Sequence, residues 1–122
     1  MSYIDAFNNQ CLNFVKELSE IYPDNDNLIP VKNKLLIVIK TSPNFLIKNF
    51  YKTCYQYKTE VYNKNDQFFL NYKLCGTIIH SLQLKELWKN STEATKGKCW
   101  LYIQVLFKLC EKHYTRYKNG SV

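Results

Sequence analysis

Glycine and proline are scarce in this sequence. There are three of each in 122 residues, too few for the many tight turns of an all-β sandwich, so the composition favours long helices. Long apolar runs are absent as well: the most apolar stretch, residues 99–110, is shorter than the roughly 20 residues that cross a bilayer. We therefore expect an all-α protein without a membrane span. The length predicts a single domain over residues 1–122.

The sequence also lacks the residue patterns of metal and catalytic sites. Its five cysteines are dispersed, with no C-x-x-C pair, and there is no glycine-rich phosphate loop and no G-x-S-x-G turn. The cysteines are Cys11, Cys54, Cys75, Cys99 and Cys110. We interpret them as buried, reduced thiols. We expect no metal, no cofactor, no small-molecule substrate and no enzymatic activity.

Cys110 and His113 form the one combination that invites a metal or nucleophile hypothesis. Their spacing of three places both on one face of a helix, and Cys99 and His80 are further candidates. The same face, however, continues an apolar stripe, and a half-buried histidine near a helix end is usually structural. We favour the structural interpretation.

Arginine is nearly absent from this basic chain. The net charge is +7, and of 17 basic residues only Arg116 is an arginine. Residues 1–30 contain five acids and one lysine, a net charge of −4, which leaves +11 for residues 31–122. A basic face suits nucleic acid, an acidic partner or an anionic surface. Arginine is the residue whose planar guanidinium binds phosphates and guanines through two hydrogen bonds, and this chain has only one. The charge alone therefore does not select among these partners.

The most regular pattern lies in residues 92–117. Apolar side chains recur at steps of three and four, and polar ones recur every four residues on the opposite side, which predicts a long helix. The apolar stripe consists of Cys99, Ile103, Leu106, Cys110, His113 and Tyr117; the polar stripe consists of Gln104, Lys108, Lys112 and Arg116. Ser91 or Thr92 is expected to cap this helix and Gly120 to end it. The other segments are expected to cover its apolar surface.

Upstream, residues 3–22 predict a first amphipathic helix that ends at Pro23. Residues 28–40 fit a helix, although residues 34–39 also fit a short buried strand. Because no other run offers a partner strand, we prefer the helix.

A third helix is expected to begin with Ser42 as its cap and Pro43 at its first position. Its predicted buried side consists of Leu46, Phe50, Cys54, Tyr57 and Val61. Asp66 is expected to cap a turn, Gly76 to break the next segment, and residues 78–88 to form one or two short helices.

Several short features make the chain resemble a small helical protein type that recurs in large cytoplasmic DNA viruses. They are Tyr22-Pro23, the run Asp66-Gln67-Phe68-Phe69-Leu70, Leu87-Trp88, Ser91, and the pattern of Lys98, Trp100, Tyr102 and Leu106. Where that type has an acid after the first aspartate, this chain has Gln67. The resemblance implies a helical domain, a viral setting and no enzyme chemistry. The N-terminus lacks the pattern of a signal peptide, so we expect the host cytoplasm or the virion rather than secretion.

Tyrosines lie close to lysines in the third and last helices. They can form the rim of the core, a protein interface, or a surface that stacks nucleic acid bases, and we rank these interpretations in that order. The candidate protein interface consists of Tyr51, Tyr55, Tyr62 and Tyr114. The candidate nucleic-acid-binding residues are Lys48, Lys52, Lys108, Lys112 and Arg116.

Together these features predict an all-α, compact bundle of five or six helices around a long, largely buried C-terminal helix. The leading hypothesis is a non-enzymatic viral protein that acts through contacts with viral proteins or with itself, as a virion component or assembly adaptor. The alternatives are a lysine-rich nucleic-acid-binding module and, third, a helical regulator of host signalling.

Overall fold

The structure, a computed structural model, describes residues 2–26, 28–66, 68 and 84–120, with the side chains of these residues except 84–86 and 116–120. Over these ranges the chain is helical and contains no strand. The α-helices are α1 (Tyr3–Ile21), α2 (Leu28–Thr41), α3 (Phe45–Cys54), α4 (Lys58–Tyr62), α5 (Leu84–Lys89) and α6 (Glu93–Gly120), and a 3-10 turn, Tyr55–Tyr57, joins α3 to α4. The predicted all-α class is confirmed. The breaks and helices predicted within residues 69–83 lie outside the described residues.

Helix α6 begins after Thr92, whose side-chain oxygen accepts a hydrogen bond from the Thr95 amide at 3.2 Å. This leaves Thr92 as the cap. The helix continues to Gly120, the residue predicted to end it. Its buried side chains are Cys99, Trp100, Ile103, Leu106, Phe107 and Cys110. The prediction of a long, largely buried C-terminal helix is therefore confirmed.

One side of α6 remains open. Leu101 and Val105 are exposed, as are Lys108 and Lys112. These four residues follow one another at steps of four, three and four, so they share a single strip of the helix. The helix is therefore covered on most of its circumference rather than all round.

Helix α1 provides the most extensive packing surface for α6. The ring of Phe14 stacks on Tyr102 with centroids 5.2 Å apart. Beside this contact, the Lys98 ammonium and the Glu17 carboxylate form an ion pair at 3.0 Å. The apolar face predicted for residues 3–22 is therefore the face that covers α6.

The polar Gln104 in the middle of α6 has a structural role. Its side-chain nitrogen donates a 3.0 Å hydrogen bond to the Val61 carbonyl near the end of α4. This bond satisfies one of the last carbonyls of a short helix. It ties α4 to α6.

The predicted start of the third helix is wrong by two residues. The Ser42 amide donates to the Val38 carbonyl at 2.8 Å, so Ser42 belongs to the end of α2, and α3 begins only at Phe45. Asn44 precedes the first residue of α3, without a side-chain cap bond. The 3-10 turn then interrupts the predicted continuous helix, and Ile47 is buried where Leu46 was expected.

No helix within the described ranges combines the length and the apolar character needed to cross a membrane.

Candidate functional site

The four tyrosines predicted as an interface meet along one line, where α3, the 3-10 turn and α4 lie against α6. Tyr51 stacks on Tyr55 with ring centroids 4.9 Å apart and on Tyr114 at 4.0 Å. Tyr62 packs edge to face on Phe107 at 6.3 Å. We call this cluster of Tyr51, Tyr55, Tyr62 and Tyr114 the tyrosine seam.

A charged pair lies within the seam. The Lys58 ammonium contacts a Glu111 carboxylate oxygen at 2.5 Å, and the Tyr55 hydroxyl donates to the same oxygen at 3.3 Å. The ammonium also lies 5.7 Å from the centre of the Tyr55 ring and 6.0 Å from that of Tyr62. This is within the range of cation–π attraction. One lysine therefore links both tyrosines to the acid on α6.

Four groups of this cluster have raised pKa values. The hydrogen bond with Glu111 raises the pKa of Lys58. Burial raises the pKa of Tyr55, and the neighbouring Glu111 charge raises it further. Burial also raises the pKa values of Tyr62 and Tyr114. The hydroxyls of Tyr55, Tyr62 and Tyr114 are therefore neutral at neutral pH, able to donate or accept hydrogen bonds.

All four rings are half-buried and pack against the hydrophobic core. This agrees with the interpretation that their inner edges form the rim of the core. Tyr51 has two near-parallel neighbours, which occupy much of the ring face that a nucleic acid base would need. The seam can therefore offer hydroxyls and ring edges to a partner more readily than open faces.

The predicted lysines lie on the helices that bound the seam. Lys48 and Lys52 are exposed one turn apart on α3, and Lys108 and Lys112 are exposed one turn apart on α6. The structure brings the tyrosines together, whereas these lysines remain on separate helices. The side chain of Arg116 is outside the described residues.

Sequence reasoning missed the Lys58–Glu111 pair at the centre of the seam. One signal was available, because Glu111 is the only acidic residue after Glu93. A single carboxylate in a basic helix is expected to have a cationic partner. The identity of that partner depends on how α4 packs, which the sequence does not specify.

The Cys/His hypothesis receives no support from the thiols. Burial raises the pKa of Cys99 to about 11 and that of Cys110 to about 12. Both side chains are therefore neutral thiols at neutral pH, whereas thiolates are the nucleophiles and metal ligands. His113 packs against Tyr114. No group of three potential metal ligands occurs among the residues with a described position, and Cys75 and His80 are not among these.

Several of the residues on which the resemblance to the small helical protein type rests contact one another in the structure. The Tyr22 hydroxyl and the Ser91 hydroxyl are 2.6 Å apart, and Ser91 donates to the Leu87 carbonyl, so Tyr22 donates to Ser91. Trp88 packs edge to face on Trp100, and Phe68 lies against the same indole. These residues connect the end of α1 to the start of α6, which gives them an architectural role.

No family model, curated protein or solved structure matches this chain.

Proposed function

We propose that this chain is a non-enzymatic viral protein that acts through protein–protein contacts, as a virion component or assembly adaptor. The observation that carries the proposal is the tyrosine seam, because four tyrosines from three helical segments and the intervening turn lie together. Three of the rings stack, and that of Tyr62 packs edge to face on Phe107. Tyrosine is enriched in protein interfaces, where its ring adds apolar area and its hydroxyl adds a hydrogen bond. A surface held in place before binding also has less conformational entropy to lose. The viral setting rests on the resemblance described above.

The chemistry of the described side chains supports a binding role. The four described cysteines are buried and have raised pKa values. The seam has one lysine and one acid, which neutralise each other. Such a surface can recognise a partner, and it offers no activated nucleophile.

The test is the incorporation of the protein into virions. We expect Tyr55→Ala with Tyr62→Ala to lower the amount of protein in purified virions at least tenfold, because interface tyrosines commonly contribute more than about 1 kcal/mol each. The matched control is Tyr3→Ala, which removes a half-buried tyrosine of α1, outside the seam. Light scattering on the purified chain measures self-association with the same variants. A strictly monomeric protein that is absent from virions would contradict the proposal.

The second candidate function is nucleic acid binding. It is favoured by the exposure of Lys48, Lys52, Lys108 and Lys112, none of which forms an ion pair within the described part of the chain. Binding through these lysines should weaken linearly with salt on a logarithmic scale. A gel-shift titration at two salt concentrations separates the two functions, because only nucleic acid binding predicts a shift at low salt.

A further inference from the structure

Helix α2 presents apolar side chains on two sides, although it lies at the surface. Leu28 and Leu35 are buried in the core, whereas Ile29 is 65% exposed and Ile37 is 64% exposed. Leu36 is exposed as well. The exposed residues are spaced i, i+7 and i+8, so they share one side of the helix. A helix that is apolar on two sides ordinarily has a contact on each of them.

Helix α3 also begins with an exposed apolar side chain. Phe45, its first residue, is 50% exposed. Lys48 and Lys52 follow at i+3 and i+7, on the same side of the helix. A turn of three residues, 42–44, joins the two helices. Four of the six large apolar side chains that are exposed within the described residues therefore belong to α2 and α3.

This part of the chain contains lysine and no acid. Residues 27–59 include six lysines and neither aspartate nor glutamate. Lys58 is paired with Glu111. The other five are exposed and form no ion pair within the described ranges; they are Lys32, Lys34, Lys40, Lys48 and Lys52. We define the outer face of α2 and α3 as these five lysines together with Ile29, Leu36, Ile37 and Phe45.

Two properties of this face select its partner. A single sign of charge over two helices suits an extended anionic surface, such as a lipid leaflet or a nucleic acid. Exposed isoleucine, leucine and phenylalanine suit an apolar medium, and phosphate backbones offer none. Of the two extended anionic surfaces, only the lipid leaflet meets both requirements. Lysine also suits this partner, since a lipid leaflet is attracted by point charges and needs no arginine fork.

We propose that the outer face of α2 and α3 binds the surface of an anionic membrane. Ile29, Leu36, Ile37 and Phe45 insert at the boundary between head groups and acyl chains, and the five lysines contact lipid phosphates and carboxylates. The helices lie along the membrane without crossing it. The tyrosine seam remains a separate surface, so this binding does not depend on the seam's role.

The test is sedimentation of the full chain with phosphatidylcholine vesicles prepared with or without phosphatidylserine. We expect binding only to the phosphatidylserine vesicles, weakening as salt rises. Lys34→Gln, Lys40→Gln and Lys48→Gln together should weaken binding by about fivefold for each lysine. Ile37→Ser with Phe45→Ser should weaken it about tenfold or more at unchanged charge. Because all five residues are exposed, the variants should fold, as circular dichroism can verify.

Two control variants match these changes outside the proposed face. Leu101→Ser with Val105→Ser removes two exposed apolar side chains from α6. Lys16→Gln, Lys108→Gln and Lys112→Gln together remove three exposed lysines from α1 and α6. Neither should reduce vesicle binding as much as the changes on the face. No binding to phosphatidylserine vesicles at low salt would overturn the proposal. Binding that survives Ile37→Ser with Phe45→Ser would also overturn it, because the attraction would then be purely electrostatic and the apolar side chains would not insert.

Discussion

Cysteine serves as a small apolar residue in this chain. Cys11, Cys54, Cys99 and Cys110 are buried in the core, and burial raises the pKa of each thiol. The Cys110 thiol also donates toward the Ile47 carbonyl over 3.9 Å, a sulfur contact that links α6 to α3. The dispersed spacing of the cysteines was sufficient to predict this role. Their burial explains why they supply no reactive thiolate.

The buried thiols predict a loss of stability at alkaline pH. Their ordinary pKa is 9.0, and the folded-state values are higher. Below pH 9 both states hold these protons, so stability is unaffected; above pH 9 the unfolded chain loses them first. The free energy of unfolding should then fall by up to about 1.4 kcal/mol per pH unit for each thiol.

Urea unfolding under reducing conditions from pH 7 to pH 10 measures this slope. Cys99→Ala should make the slope shallower by the contribution of one thiol, up to about 1.4 kcal/mol per pH unit. The range stops at pH 10, where tyrosines of the unfolded chain, with an ordinary pKa of 10.0, are half deprotonated and add to the slope. The comparison with Cys99→Ala therefore isolates the contribution of the thiol. A free energy of unfolding that stays constant up to pH 10 would contradict the burial of the thiols.

At the scale of the helices, regular apolar spacing was a reliable guide and chain breaks were not. The spacing predicted α1 and the buried face of α6, because apolar residues that recur at steps of three and four over several turns fit a helix and no other regular structure. The start of α3 was misplaced because Ser42-Pro43 has the residue types of a helix start, whereas in the structure Ser42 follows the last turn of α2 and a turn over residues 42–44 precedes α3. Where one helix ends and the next begins depends on tertiary packing.

The ambiguity of residues 34–39 has a physical origin in the structure. Continuous apolar runs are typical of buried strands, and α2 reads that way because both of its sides carry apolar residues. One side covers the core through Leu35, whereas the other exposes Leu36 and Ile37. The helical assignment is confirmed. The exposed apolar side of α2 was not predicted, because the sequence pattern was interpreted as if every apolar residue belonged to the core.

Gly97 is a replaceable residue inside α6. A methyl group added at this position would meet no atom within 4 Å. Gly97→Ala should therefore raise the free energy of unfolding by about 0.5–1 kcal/mol, since it removes conformational freedom from the unfolded chain. Urea unfolding measures the change.

Ala94→Gly, in the exposed first turn of the same helix, serves as the reverse control and should lower stability. A loss of stability in Gly97→Ala would mean that α6 has a different geometry or neighbour at this position.

At the scale of the molecule, acidic and basic surface belong to different helices. Helix α1, which packs against both α2 and α6, carries exposed acids such as Asp5 and Glu20. The exposed lysines of α2 and α3 form the basic outer face, and the tyrosine seam lies where α3 and α4 meet α6. The sequence predicted the charge asymmetry and the residues of the seam. It could not predict that the tyrosines would stack on one another, because that depends on the approach of α3 to α6.

The tyrosine seam lies directly on α6, and the outer face of α2 and α3 belongs to the bundle that packs around this helix. Hydrogen–deuterium exchange on the purified chain tests whether α6 is the stable centre of that bundle. We predict that the slowest-exchanging amides lie in residues 99–110, the part of α6 enclosed by the core. Exchange in residues 99–110 as fast as at Glu93 and Ala94, in the exposed first turn of the same helix, would contradict this prediction.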